Sequence, residues 1–384
     1  MTKTVVVLGA GYAGTNAIAR LQELNLDDLD LHWVADSPYH LVRHEVHRVV
    51  RRPAARYDLT VPVDDVVEPA TTFTQGVVTD IDTDERTIAF EDGDSLSYEY
   101  VLVALGSETA FYGIDGLAEH AHTLASLDDA LAIHEAIEAV AEDATVDDPA
   151  QVVIGGGGLS GIQTAGEVAA YRDEHDAPIE VTLVEALRRI LPMGDDDLQS
   201  VLEDALASEG VRVLTNDPIV ESTEDSVVFD DREPIPSDVL VWTGGVKGRS
   251  LVSETDLQAE HDRIVVETDF QTDDDRVFAV GDSALVDGGD ETVPPTAQAA
   301  MQAATVAAEN LVREARGSDL EHWSYRDLGT LVSVGEHAFA NDVLGLPVGV
   351  VGGTIARTLK KGVAARWIAS ITSWPRAIRA WNSL

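Results

Sequence analysis

The chain alternates short, almost wholly apolar runs with longer segments whose apolar positions recur every three or four residues. Val5, Val6, Val7 and Leu8 form the first such run, and helical spacing follows over residues 15–24 before a second run over 30–35. The order repeats in the middle of the chain, with a run over 151–154, helical spacing over 162–171 and a run over 179–184. Uninterrupted apolar strands separated by amphipathic helices predict parallel sheets covered on both faces. A further run, Val277 to Val280, arrives late and has no helical partner of comparable length before it. The pattern predicts an α/β fold with two Rossmann-like units, the first interrupted by the second and completed by the late strand.

Glycines punctuate both repeats at the strand-to-helix junction. Gly9, Gly11 and Gly14 follow the first strand, and Gly156, Gly158 and Gly161 follow the second. In a Gly-x-Gly-x-x-Gly turn the first glycine permits the tight bend, the second lets backbone approach a pyrophosphate, and the third lets the helix pack on the strand. The helix N-terminus then faces the phosphate charge. Asp36 ends the second strand of the first unit and Glu185 the corresponding strand of the second, each placed to accept hydrogen bonds from a ribose. Glu185 favours NADH over NADPH, whereas Arg188 and Arg189 close behind it suit a 2′-phosphate. The late run ends in Gly281-Asp282, which puts an acid where the first sheet's cofactor lies.

Composition narrows the chemistry. The 384 residues contain no cysteine, which excludes a disulfide, a thiolate nucleophile, a Cys-x-x-Cys redox pair, an iron–sulfur cluster and a Cys-ligated zinc. Redox chemistry therefore belongs to a bound cofactor. His40, His44 and His47 form a local group, but it lacks paired acids beyond Glu45; it reads as a loop and helix near the cofactor rather than a metal site. The formal net charge of −43 argues against nucleic acid as a partner and fits a cytoplasm of very high salt, where screening acts over about 3 Å at about 1 M. The N-terminus shows neither a basic start nor a cleavage site, so a cytoplasmic origin is expected. No run of 18 apolar residues is present.

Residues 343–384 break with this composition. They hold no Asp or Glu but carry Arg357, Lys360, Lys361, Arg366, Arg376 and Arg379, and Trp367, Trp374 and Trp381 recur every seventh residue. Two short helices separated near Pro375, basic and rich in tryptophan, describe a segment lying in a membrane interface. The alternative is a tail packed on the acidic body or on a second subunit, and a homodimer remains open.

The stretches Tyr100 to Gly106, Val239 to Val246 and Pro294 to Gln302 carry a resemblance. With the two glycine loops, they are similar to the two-dinucleotide-binding flavoprotein reductases, and within them to the type II NADH dehydrogenases. Ala297-Gln298-x-Ala300-x-Gln302 resembles the pattern of the quinone-reducing members. The resemblance implies FAD on the first unit, NADH on the second, and electron transfer to a membrane quinone without proton pumping, by a peripheral enzyme on the cytoplasmic face. It implies cofactor contacts at Tyr12, Ala13, Val78, Ala104, Gly106, Gly244, Gly281, Ala297, Gln298 and Lys361 beside the glycines and acids above. Gln163, Glu167, Gln298 and Gln302 are expected to line the reaction chamber. The family usually has a glutamate at position 163; a glutamine hydrogen-bonds but cannot relay a proton. Glu167 either substitutes for it or is a solvated helix residue. Thr296 is expected to cap a helix over 297–313 whose N-terminus favours the anionic reduced flavin. The implied organisation is a first FAD segment over 1–112, an NAD unit over 113–268, a second FAD segment over 269–325 and a C-terminal domain over 326–384. Sulfide:quinone oxidoreductases and disulfide reductases share the architecture but work through cysteines. A ferredoxin or rubredoxin reductase and a non-enzymatic NADH-binding sensor are the alternatives.

Overall fold

The computed structural model describes residues 2–24, 26–286, 293–343 and 349–384. Its first sheet has five parallel strands in the order Val277–Ala279, Tyr100–Val103, Lys3–Leu8, Leu29–Ala35 and Thr71–Gln75. The late strand pairs with Tyr100–Val103, so the chain leaves this sheet and returns to close it, as the late apolar run predicts. The second sheet is also five parallel strands, in the order Ala121–Thr123, Val239–Trp242, Ala150–Gly155, Ile179–Glu185 and Arg212–Thr215. Val5 to Leu8 are fully buried and Val152 to Ile154 nearly so, which is why these strands read as continuous rather than alternating runs. Two short antiparallel strands, Ser107–Thr109 and Val246–Gly248, join the two units.

The glycine-loop helices begin earlier than their apolar spacing predicts. They span Tyr12–Glu23 and Leu159–His175, three residues ahead of the expected starts. The third glycine of each motif lies inside the first helical turn, where the helix crosses its own strand too closely for any side chain. A Cβ on Gly14 would lie 1.9 Å from the Gly9 carbonyl oxygen, and one on Gly161 1.8 Å from that of Gly156. Apolar periodicity cannot register this turn, because the residues that make the contact carry no side chain.

The C-terminal part is a hairpin, Thr330–Val334 with His337–Asn341, followed by the helices Thr354–Ile371 and Trp374–Ala380. Pro375 sits in the first turn of the last helix, where its missing N–H costs nothing, so the chain breaks where the sequence predicts. The hairpin docks on the second glycine-loop helix at Gly166. A Cβ there would lie 2.3 Å from the Gly335 nitrogen and 2.7 Å from the Val334 Cα. This contact brings Ser333 of the hairpin beside Gln163 of the helix.

Gly166→Ala therefore forces the hairpin off the helix. The expected cost is about 2 kcal/mol of stability, read as a lowered thermal midpoint of the flavin-loaded protein. An unchanged midpoint would show that the hairpin does not need this approach.

Candidate functional site

Both glycine loops are built alike. Gly9 has φ +106° and Gly156 has φ +103°, in the left-handed range that a side chain disfavours. A Cβ on Gly9 would lie 2.2 Å from the Ala104 carbonyl oxygen, and one on Gly156 would lie 2.6 Å from the Gly244 Cα. The middle glycines differ: a Cβ on Gly11 or Gly158 would meet nothing within 4 Å. Each middle glycine is also the N-cap of its helix, and neither helix has a side-chain cap. Two helix N-termini thus present uncapped N–H groups to open space, which fits two diphosphates.

The acids around these loops are placed differently from one another. Asp36 is exposed, with Arg249 at 3.8 Å. Asp282 accepts a hydrogen bond from the Ser107 hydroxyl at 2.8 Å, and the neighbouring Ser283 hydroxyl accepts one from the Gly106 N–H at 2.9 Å. Gly281 lies against Ala13, so the return strand reaches the first loop. Glu185 is buried, and its two oxygens accept from the N–H groups of Gly157 and Leu187, each at 2.7 Å. Arg189 is engaged by Glu203 and Ser200, while Arg188 is exposed. Val78 opens the strand Val78–Asp82, half-buried and paired with Phe90.

Between the two units lies a cavity lined by Arg43, His44, Val46, His47 and Thr109 from one side, and by Ser160, Gln163, Trp242, Thr243, Gly245 and Val246 from the other, with Leu124 at its edge. Gln163 is 7% exposed, and its Oε1 accepts from the Ser333 hydroxyl at 3.2 Å. Glu167, one turn along, is 1% exposed, so the solvated-helix reading does not hold. Its carboxylate lies 2.7 Å from Arg51 Nε and 3.7 Å from Arg48. Burial pushes the Glu167 carboxyl up, and the two arginines only partly offset this.

Behind the cavity sits a charged cluster that apolar patterning did not reveal. Glu45 has no exposure; it accepts from Lys360 Nζ at 2.6 Å and from Arg48 Nε at 2.6 Å, with His44 and His47 within 4.0 Å. Burial alone would raise the Glu45 carboxyl, but Lys360 and then Arg48 outweigh it and hold the group ionised, well below the usual carboxylate range. The signal available in sequence was one acid between Val42 and Val46, valines four apart that Val49 and Val50 continue at helical spacing, with Arg48 three residues on. The late lysines separate here: Lys360 enters this cluster, whereas Lys361 donates to the Trp381 carbonyl at 3.0 Å on the last helix.

Trp367 also turns inward rather than out with the other two tail tryptophans. Its indole N–H donates to His40 Nε2 at 2.8 Å, and His40 Nδ1 donates to the Ala10 carbonyl at 2.8 Å. An indole nitrogen only donates, so His40 is neutral with its proton on Nδ1. Tyr12 packs against both rings and hydrogen-bonds His44. The C-terminal helix is thereby pinned to the first glycine loop. Burial drives the His40 pKa down to about 4.

Thr296 caps the helix Ala297–Ala315 by accepting from the Ala299 N–H at 3.3 Å. Gln298 and Gln302 lie on one face, as their spacing predicts. Both amides grip the segment that crosses the helix: Gln298 Nε2 donates to the Tyr325 hydroxyl and to Asp327, Gln302 Nε2 donates to the Arg326 carbonyl, and their oxygens accept from the Leu328 and Arg326 N–H groups.

This architecture matches known proteins along its whole length. The pyridine nucleotide-disulphide oxidoreductase family model covers residues 3–304. A type II NADH:quinone oxidoreductase of Staphylococcus epidermidis is 30% identical over 387 residues, covering 95% of each chain. The chain belongs to the type II NADH:quinone oxidoreductases. A Staphylococcus aureus member of this family is 28% identical, with 96% of each chain covered. The fold of the Plasmodium falciparum NDH2 solved with NADH superposes with a TM-score of 0.84 at 15% identity, over 100% of this chain and 98% of that one. For a type II oxidoreductase without cysteine, the two glycine loops fit the two dinucleotides the family uses, FAD and NADH.

Two measurements test this site. Lys360→Met leaves Glu45 with one fewer buried cation and is expected to cost about 3 kcal/mol or more, read by denaturant unfolding against the parent. His40 titrates at about 4 when folded and near 6.5 when unfolded, so the unfolded chain binds a proton that the folded chain refuses. Its contribution is complete above pH 6.5 and falls by about 2 kcal/mol as the pH drops to 4.5. Unfolding midpoints at fixed high salt should show that loss added to the ones from His44 and His47, whose pKa values burial also lowers, and His40→Gln should reduce the slope by its own share rather than abolish it.

Proposed function

We propose that this chain oxidises NADH and passes the two electrons through bound FAD to a membrane quinone, without pumping protons, from the cytoplasmic face. The observation that carries the reading is one cavity bordered by the second glycine-loop helix and by residues packed on the first loop. Helix Leu159–His175 contributes Ser160 and Gln163 from the second loop, and His44 is bonded to Tyr12 of the first. FAD, when bound, supplies the two-electron carrier that lets a hydride donor and a quinone react in turn.

The chain's own groups do the positioning. Gly11, Tyr12, Ala13 and Gly14, with Ala104, Gly106, Gly281 and Asp282, hold FAD, and Asp36 takes its adenosine ribose. Gly156, Gly158, Gly161 and Gly244 hold NADH, with Glu185 at its ribose. Gln163 forms part of the chamber wall, and Glu167 is buried one turn along the same helix against Arg51 and Arg48, outside the lining. Gln298 and Gln302, with Ala297 at the helix N-terminus, shape the quinone approach by fixing residues 325–328 across it. The cluster of Lys360, Arg48 and Arg51 against Glu45 and Glu167 has an excess of positive charge, which favours an anionic reduced cofactor nearby.

No helix among the described residues is long and apolar enough to cross a membrane. The last two helices instead expose Ile355, Val363, Trp374, Ile378 and Trp381, with Trp374 63% and Ile378 69% exposed. Arg366 and Arg379 are exposed on the same helices. Apolar and aromatic side chains flanked by arginine suit the headgroup boundary of a bilayer, where the quinone resides.

Stopped-flow absorbance of the flavin band at high salt tests the reading. NADH should bleach the band rapidly and a short-chain quinone should restore it; bleaching that persists with quinone would overturn the acceptor assignment. The double variant Trp374→Ser, Ile378→Asp should still bleach with NADH yet fail to sediment with phospholipid vesicles. Undiminished sedimentation would remove these helices from the membrane contact.

A further inference from the structure

The carboxamide of Gln163 has two chemically opposite ends, and the structure treats them differently. Its Oε1 accepts from the Ser333 hydroxyl at 3.2 Å, and that is the one hydrogen bond of its side chain among the described residues, which leaves Nε2 to the cavity that the residue lines. The residue is more than nine-tenths buried and lines the cavity between the two units. An amide N–H pair that faces a cavity and makes no bond to the protein is free to donate to a ligand there. The free end of Gln163 therefore offers donors only.

What holds the amide in this orientation lies behind it. A serine hydroxyl has one proton. Ser333 spends it on Gln163 Oε1, so the His47 nitrogen 3.4 Å from the same hydroxyl must be the donor of that contact. Glu45 Oε2, 4.0 Å from His47 Nε2, favours a proton on that nitrogen as well. The chain of donation runs one way, from His47 Nε2–H to Ser333 Oγ and from Ser333 Oγ–H to Gln163 Oε1. Ser333 and His47 are each 2% exposed, so no solvent competes for either group. Imidazole carries an Nε2 proton in its charged form too, so protonation of His47 leaves the direction unchanged.

We propose that His47 and Ser333 are positioning residues that lock Gln163 as a hydrogen-bond donor toward the carbonyl oxygen of the nicotinamide carboxamide. The cavity wall indicates that ligand: Ser160 and Gln163 rise from the second glycine loop, and Thr243 and Gly245 follow the strand beside it. A carboxylate at position 163 would present an acceptor instead and would select the carboxamide NH2 group. Glutamine at this position thus reverses the polarity of the contact rather than weakening it. The inference rests on NADH being the ligand of the second unit.

Binding of oxidised cofactors to the FAD-loaded protein, followed by calorimetry, separates the two claims. The parent should bind the nicotinic acid analogue of NAD+, which offers only acceptors, at least as tightly as NAD+. It should bind the thioamide analogue, a poorer acceptor, several-fold more weakly. Gln163→Glu should reverse the first preference by on the order of tenfold, because two carboxylates would then meet. Ser333→Ala frees the amide to flip and should bring all three affinities to within about twofold of one another, within the scatter expected of one weak hydrogen bond. The parent pattern persisting in Ser333→Ala would overturn the positioning role, and so would rejection of the nicotinic acid analogue by the parent. Rapid flavin bleaching by NADH in these same proteins would show that the NADH reading survives such a failure, whereas absence of any NAD+ binding would sink both.

Discussion

A carboxylate sealed from water must find its countercharges inside the protein, and Glu45 finds them on two segments far apart in sequence. Arg48 comes from the short helix His47–Arg51 that follows it and Lys360 from the helix Thr354–Ile371. Removing either charge from this pair leaves the other stranded in a medium that cannot solvate it, so the segments are held together by a penalty rather than by a large net attraction. The C-terminal helix is thereby fixed to the chamber wall that carries His44 and His47. The Trp367–His40–Ala10 hydrogen bonds fix the same helix to the first glycine loop. One helix, which exposes Ile355, Val363 and Arg366 on its other side, is tied at two points to the first unit.

The distribution of charge follows the same logic. The chain carries 69 acidic and 26 basic residues. Most acids lie outside, where salt screens their repulsion, while Arg48, Arg51 and Lys360 are withdrawn to the junction of the two units. Glu336 extends the network to Arg51, Arg52 and Arg357, which links hairpin, C-terminal helix and first unit. The six cations of an otherwise acid-free tail therefore divide into distinct tasks. Lys360 and Arg357 pair with Glu45 and Glu336, Lys361 donates to the Trp381 carbonyl, Arg376 reaches Asp65 and the Thr60 carbonyl, and Arg366 and Arg379 remain exposed.

The chamber shows how hydrogen-bond direction can carry information that charge does not. His47, Ser333 and Gln163 come from three separate elements, and each has one hydrogen-bonding choice once its neighbour is set. Gly166, by letting the hairpin approach the helix, is what brings Ser333 within reach. Specificity at the nicotinamide end is thus coupled to a close backbone contact that has no chemistry of its own.

The strand runs of both sheets, their glycine loops and the cap at Thr296 were legible in sequence because each depends on neighbours a few residues away, and the return strand was legible as a buried run even though its partner, Tyr100–Val103, lies far back in the chain. Strand runs, helix periods and Gly-x-Gly-x-x-Gly turns are local constraints on backbone, and the chain obeys them wherever it folds. The acid-free tail was legible as composition, but the inward turn of Trp367 and the division between Lys360 and Lys361 were not. Adjacent helical residues face about 100° apart, and which of two lysines faces inward depends on where Glu45 waits. The same holds for Glu167, whose buried place is decided by arginines on another helix, and for Gln163, whose polarity is decided by a serine and a histidine that sequence distance conceals. The sequence by itself determined where the two glycine loops and their parallel strands lie; only the tertiary structure decided which buried charges and hydrogen bonds face the space between them, since those depend on desolvation that exists only after the units meet.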